Sequence, residues 1–287
     1  MTPFILLGLY SVALAASSLL GGRLPSYFAM THTRTQLAMS FVSGVMLGIA
    51  FLHLLPHALA ASRGEHGIST TMTWTVFGLV IMLLLLRLLH FHQPDYPGQP
   101  SSCHHDHADD VVAVDAASPV GWRGVLVGLV FHTFIDGMAL GAAMVGAPYG
   151  QEGTILGLGI FIAILLHKPL DAMSITALMK AGGAAQTVQR LANLVFALVC
   201  PIGAVAVYLL LAGAGELRDV TLAPMLAFSA GAFICIALGD LLPEVQFHSH
   251  DRIKLTLMFL LGIAIAYLIE WASPQHSHTL GGVAGLA

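Results

Sequence analysis

The sequence predicts an all-α membrane protein of eight transmembrane helices, and three observations predict it. The 287 residues are 57% hydrophobic and only 9% charged, with a mean hydropathy of +0.84, which leaves too little polar surface to clothe a water-soluble domain. Apolar stretches of roughly 20 residues, long enough to cross about 30 Å of hydrocarbon, recur from end to end. The alternating pattern of barrel strands is absent, and helices are the other backbone that satisfies itself in lipid. The whole chain, 1–287, therefore reads as one transmembrane domain.

Taken in order, the first span covers about residues 3–22. Small residues at 13–17 resemble a signal-peptide cleavage site, but no Lys or Arg precedes the apolar core, so the segment is expected to stay as a helix. The second span, about 36–60, closes on the run HLLPHAL from His53. The third, about 72–92, leads into a polar stretch over about 93–118, where Pro94, Pro97, Pro100 and several Asp predict a disordered loop. That loop carries Cys103 and the run His104, His105, Asp106 and His107, a composition that suits metal buffering or plain solvation. The fourth and fifth spans, about 121–147 and 153–179, hold His132 with Asp136 and His167 with Asp171. The sixth, about 188–212, places Cys200 before Pro201, and the seventh, about 221–244, ends in GDLLPEV, with Asp240 and Glu244. The eighth, about 254–272, has Glu270 near its end, where it is expected to reach interfacial water.

Charge position sets the expected topology. Arg23, Arg34, Arg87, Arg123, Lys180, Arg190, Arg252 and Lys254 flank the odd-numbered connections, whereas the even-numbered ones hold Arg63 and Arg218. Positive residues stay cytoplasmic, so both termini are expected outside and the 93–118 loop inside. The motifs HLLPH and GDLLPE share an LLP core in spans two and seven, which by this count run in opposite directions. Spans one to three and six to eight thus read as an inverted repeat around a central pair, an architecture of transporters. Net charge of −4 and the lack of a basic stripe exclude nucleic acid. Three scattered cysteines argue against a disulfide framework.

Four spans carry ionisable residues at i and i+4: His53 with His57, His132 with Asp136, His167 with Asp171, and Asp240 with Glu244. That spacing puts both side chains on one helix face. Such groups cost several kcal/mol at membrane depth unless they pair or line a hydrated path. Hydrogen-bonded bracing between helices explains any one pair. Four pairs drawn only from His, Asp and Glu, the donors of borderline divalent metals, favour a metal path. The second and third pairs lie midway along their spans, where transporters bind substrate. The first lies toward the outer mouth and the last toward the inner one, with His248 and His250 beyond it. Pro56, Pro169 and Pro243 fall inside these motifs and Pro201 inside the sixth span, each freeing a carbonyl and inviting a kink.

On these residues the chain resembles the ZIP (Zrt/Irt-like) metal-ion transporters. FHTFIDGMALG from Phe131 is similar to the family's fourth-helix signature, with Thr133 in place of Asn and Asp136 in place of Glu. HKPLDA from His167 is similar to the fifth-helix signature, with the first His shifted by one place when the two are aligned on Pro169. The resemblance implies eight helices, both termini outside, a His-containing cytoplasmic loop and transport toward the cytosol. It further implies that Thr133, Lys168 or His167, and Cys200 stand where two-metal relatives place their second site, so one central metal is expected, with Lys168 either a cation in place of the other or a lysine facing the channel water. Met46, in GVMLG, sits where some members offer a thioether, and Cys200 is a further candidate ligand; both also suit core packing.

The expected function is secondary transport of a divalent ion, zinc before iron, manganese, cobalt or cadmium, with the metal as substrate and no cofactor. The path is past His57 and His53, into the His132, Asp136, His167 and Asp171 cluster, and out past Asp240 and Glu244. No phosphate-cradling G-x-x-x-x-G-K-[ST] run offers ATP drive. Metal ions and lipid are the expected partners, with room for a homodimer, in a cell membrane (the inner one if bacterial). The rival is an intramembrane zinc-dependent hydrolase, which also sets His and Asp around a metal-activated water. It lacks H-E-x-x-H and has no use for paired residues at both mouths.

Overall fold

The computed structural model describes residues 2–23, 32–62, 66–88, 121–146, 157–241 and 252–272. These are helical apart from short turns, with no strand among them, and eight helices are long and apolar enough to span a membrane. The chain is an all-α, multi-pass membrane protein. Helix α1 runs Pro3–Gly21, with Pro3 in the first turn, where its missing N–H leaves no hydrogen bond unmade. Helix α2 comprises His32–Ile49, a π-helical turn Ala50–Leu54, and Leu55–Ala61. Then follow α3 (Gly67–Leu88), α4 (Gly121–Gly146), α5 (Leu158–Ala181) and α6 (Gln186–Ala212). Helix α7 (Glu216–Ile236) continues into a second π-helical turn, Ala237–Leu241, and α8 is Arg252–Ala272. The loop expected at 93–118, with Cys103 and His104 to His107, lies outside the described residues, as do Glu244, His248, His250, His276 and His278. Asp240 is described by its backbone within the second π turn, and its side chain is not.

The internal repeat extends well beyond the two LLP motifs. Both π turns begin at an Ala, contain the polar residue of the motif (His53, Asp240) as their fourth member, and stop two residues before the proline (Pro56, Pro243). A π turn inserts one extra residue into the helix, and such bulges gather at functional sites. The same register holds for glycines. In α2, Gly44 faces the Phe259 carbonyl of α8 so closely that a Cβ would collide with it, and Gly262 of α8 meets the Phe41 carbonyl in the same way. In α7, Gly231 meets the Thr75 carbonyl of α3, and Gly78 of α3 meets that of Phe228. Gly44 and Gly231 each precede the first residue of their π turn by six positions, and Phe41 and Phe228 each precede those glycines by three. The α2–α8 and α7–α3 crossings are therefore two copies of one small-residue packing, the device by which helices approach in lipid.

The helices fall into two blocks: α2 packs on α8 and on α7, and α7 on α3, while α4 packs on α6, and α1 on α5 and α6. At the α4–α6 crossing, Gly137 and Gly141 admit the backbone of Cys200 and Ala204. Pro169 of α5 cannot bond the Leu165 carbonyl four residues back. Ser17 Oγ of α1 donates to that carbonyl at 3.2 Å, and Gly21 lies against the Pro169 backbone where a Cβ would not fit. Helix α1 is thus docked on the proline turn that lies between His167 and Asp171. Helices α2, α4 and α7 are the most buried, and α3 and α8 the least, so polar chemistry sits inside and apolar side chains such as Leu83, Leu84, Leu260 and Leu261 face out.

Candidate metal centre

Helices α4 and α5 bring two i, i+4 pairs face to face halfway along their length. His132, Asp136, His167 and Asp171 each offer one ligand atom, and the four atoms lie within 4.8 Å of one another. Asp136 Oδ2 stands 3.2 Å from His167 Nε2 and 3.5 Å from His132 Nε2, and Asp171 Oδ2 stands 3.5 Å from His132 Nε2 and 3.8 Å from His167 Nε2. Tetrahedral bonds of about 2.0–2.1 Å put ligand atoms about 3.3–3.5 Å apart. The spacing of three of the four contacts is therefore already close to that of a zinc-like shell.

Unmade hydrogen bonds point the same way. His167 Nδ1 donates to the Ala163 carbonyl at 2.7 Å, which leaves Nε2 with its lone pair toward the Asp136 carboxylate. Two acceptors facing at 3.2 Å repel unless a proton or a cation lies between them. Both ring nitrogens of His132, Oδ1 of Asp136 and Oδ2 of Asp171 are buried with no hydrogen-bond partner. Each orphaned polar atom costs on the order of 1–3 kcal/mol. A divalent cation in the cluster would take up Asp171 Oδ2 and one ring nitrogen of His132, together with the Asp136 carboxylate and His167.

Lys168 supplies a fixed positive charge beside the cluster. Fully buried, it donates to Thr133 Oγ1 at 2.7 Å and to Asp136 Oδ2 at 3.2 Å, and its ammonium lies 4.7 Å from the centre of the Phe196 ring of α6. Asp136 is thus shared between an ammonium and two imidazoles, and cation–π contact with Phe196 takes up another face of the ammonium. Phe233 of α7 closes the other side, edge-on to the His167 ring at 6.3 Å.

A second group forms where α2 meets α8. His53, His57 and Glu270 each offer one ligand atom within 4.8 Å of the others. His53 Nδ1 donates to Glu270 Oε2 at 2.5 Å, and His57 Nδ1 donates to the His53 carbonyl at 2.7 Å, the same four-residue back-bond that His167 makes to Ala163. The two rings lie 4.3 Å apart. Glu270 escaped the sequence reading because it stood near a span end, where interfacial water was the natural partner. The available signal was the carboxylate itself, within an otherwise apolar span. Met46 and Cys200 are fully buried in the apolar core, and neither belongs to the two ligand groups found among the described residues.

Comparison with known proteins agrees with this architecture. A family model described as ZIP zinc transporter matches residues 90–270, well over half of the chain. Zinc transporter ZIP9-B of Xenopus laevis is 28% identical over 286 residues, covering 88% of this chain and 89% of the relative. Zinc transporter zipt-7.2 of Caenorhabditis elegans is 28% identical over 80% of this chain and 57% of its own length. Zinc transporter ZIP1 of Mus musculus is 24% identical over 78% and 74% respectively. These relatives are transporters and not enzymes, which removes the hydrolase reading. Eight membrane-spanning helices, a buried His and Asp centre and a family match over most of its length place the chain in the ZIP zinc transporter family.

Proposed function

We propose that this chain carries a divalent transition-metal ion, zinc foremost, across its membrane toward the cytosol through the centre formed by His132, Asp136, His167 and Asp171. The observation that carries the proposal is the central cluster: two imidazoles and two carboxylates within 4.8 Å, halfway along two spans, with orphaned lone pairs among them. Zinc is the cargo named for the relatives, and mixed His and carboxylate donors suit it. Lys168 holds one positive charge against Asp136, so one divalent ion takes the centre from a net charge of about −1 to about +1, whereas a second would raise it to about +3 beside a buried ammonium. The bias of Lys and Arg toward odd-numbered connections supports both termini outside. The ion enters past His57 and His53 and leaves past Asp240 and Glu244, driven by its gradient or by chelation in the cytosol.

Zinc uptake into protein-loaded vesicles with an internal fluorescent chelator tests the proposal, with iron, manganese, cobalt and cadmium as parallel arms. Saturable uptake, fastest for zinc, is the expected result. Stoichiometric zinc binding without flux would show a sensor or a scaffold instead.

A further inference from the structure

We infer that His53, His57 and Glu270 form a second metal-binding site, separate from the centre and held within the α2–α8 pair, at which the ion halts before passing inward. The inference takes from the proposed function only that the cargo is a divalent metal ion. Its three donors come from two helices whose approach is fixed by the Gly44 and Gly262 crossing.

The chemistry distinguishes this trio from a simple brace. A brace between α2 and α8 needs one imidazole and one carboxylate, and His53 with Glu270 already provides it. His57 adds a third donor whose ring lies 4.3 Å from that of His53. Its Nδ1 proton is committed to the His53 carbonyl, so the ring's Nε2 carries the lone pair that binds metal. The π turn places His53 and its carbonyl for both contacts. His53 and Glu270 side chains are 11% and 13% exposed, nearly sealed. A carboxylate so enclosed is costly unless a cation or proton meets it.

Two imidazoles and one carboxylate make a zinc donor set that leaves the fourth position to water or an incoming ligand. A three-ligand site with an exchangeable position suits transfer, whereas the four-ligand centre suits retention. The two sites adjoin the same helix. A Cβ at Gly159 of α5 would stand 3.7 Å from the His53 ring, and Gly159 lies eight residues, about 12 Å of helix, before His167. Gly159 lets α5 pack closely against Ile49 of α2 and Ile269 of α8, beside His53.

The test counts zinc bound to the purified full chain in detergent micelles, by mass spectrometry and calorimetry, in variants compared with the parent. Glu270→Gln keeps an acceptor for His53 Nδ1 but removes the charged ligand, so it separates brace from ligation. Glu270→Gln and His57→Ala should each lower the affinity of the same ion by more than the roughly 10- to 100-fold that loss of an outer-shell partner costs. Glu270→His should restore it. The double variant Asp136→Asn/Lys168→Met should lose a different ion, and combining it with Glu270→Gln should lose both. Should Glu270→Gln aggregate, His57→Ala carries the test. Unchanged zinc count and affinity in Glu270→Gln or in His57→Ala would overturn the inference, as would loss of one shared ion by the α8 and α4 variants. Because binding is read without transport, a second bound ion with no vesicle flux would sink the proposed function alone.

Discussion

Replacing Asp136 with Asn keeps the side chain's shape and removes its charge, and the structure sets the size of the consequence. Asp136 Oδ2 lies 3.2 Å from Lys168 Nζ, both groups fully buried. At an effective dielectric constant of about 20, that attraction is about 5 kcal/mol, and breaking one side of a buried pair costs about 3–5 kcal/mol because the other charge is stranded. Asp136→Asn should therefore lower the unfolding free energy by about 3–5 kcal/mol, measured by detergent-induced unfolding in mixed micelles. Adding Lys168→Met removes the stranded ammonium and should recover most of that loss. Zinc affinity at the centre should stay lost in both variants, since the carboxylate nearest His167, which also stands 3.5 Å from His132, is gone. Full stability of Asp136→Asn would refute the role assigned to the Lys168 pair. Parent-like zinc affinity in the recovered double variant would refute Asp136 as a ligand.

Two further outcomes follow from the same geometry. Imidazole binds metal only when neutral, so protonation of His132 and His167 competes with zinc, and affinity should weaken as the solution is made acidic. Calorimetry from pH 7.5 to 5 checks this, and a flat profile would remove both histidines from the site. Gly44→Ala and Gly231→Ala occupy equivalent places in the repeat, each driving a Cβ into a backbone carbonyl of the facing helix. Each should cost about 1–3 kcal/mol of unfolding free energy, and an effect confined to one of the two would contradict the repeat.

Much of the fold was legible because the bilayer imposes one length scale and one permitted backbone on every span. The expected spans differ from the helices mainly at their ends. Helix α3 starts at Gly67 and not near residue 72, and α7 at Glu216 and not near 221. Hydropathy marks where apolar side chains stop, whereas the helix continues through Ser69, Thr70 and Thr71, or Glu216 and Asp219, for as long as its backbone bonds do. The π turns were invisible to periodicity, since one added residue shifts a helical pattern without erasing it. Their places were nonetheless marked by the repeated Leu-Leu-Pro runs.

At the site, the i, i+4 spacing could put His132 beside Asp136 and His167 beside Asp171, because a helix alone decides that. Which pair meets which is tertiary, and the sequence offered only depth as a guide. Glu270 shows the limit most clearly: its partner His53 lies 217 residues away in the chain, and no local pattern links the two. Phe196 under the Lys168 ammonium is the same kind of contact, an ordinary aromatic in an apolar span until α5 and α6 are packed together.

The most direct test of transport through the centre is zinc uptake by vesicles carrying equal amounts of the parent chain and of the Asp136→Asn/Lys168→Met variant, both shown to be folded. The account predicts saturable uptake by the parent and only the leak of protein-free vesicles in the variant. Equal uptake by the two would contradict it, whatever the route the ion then takes.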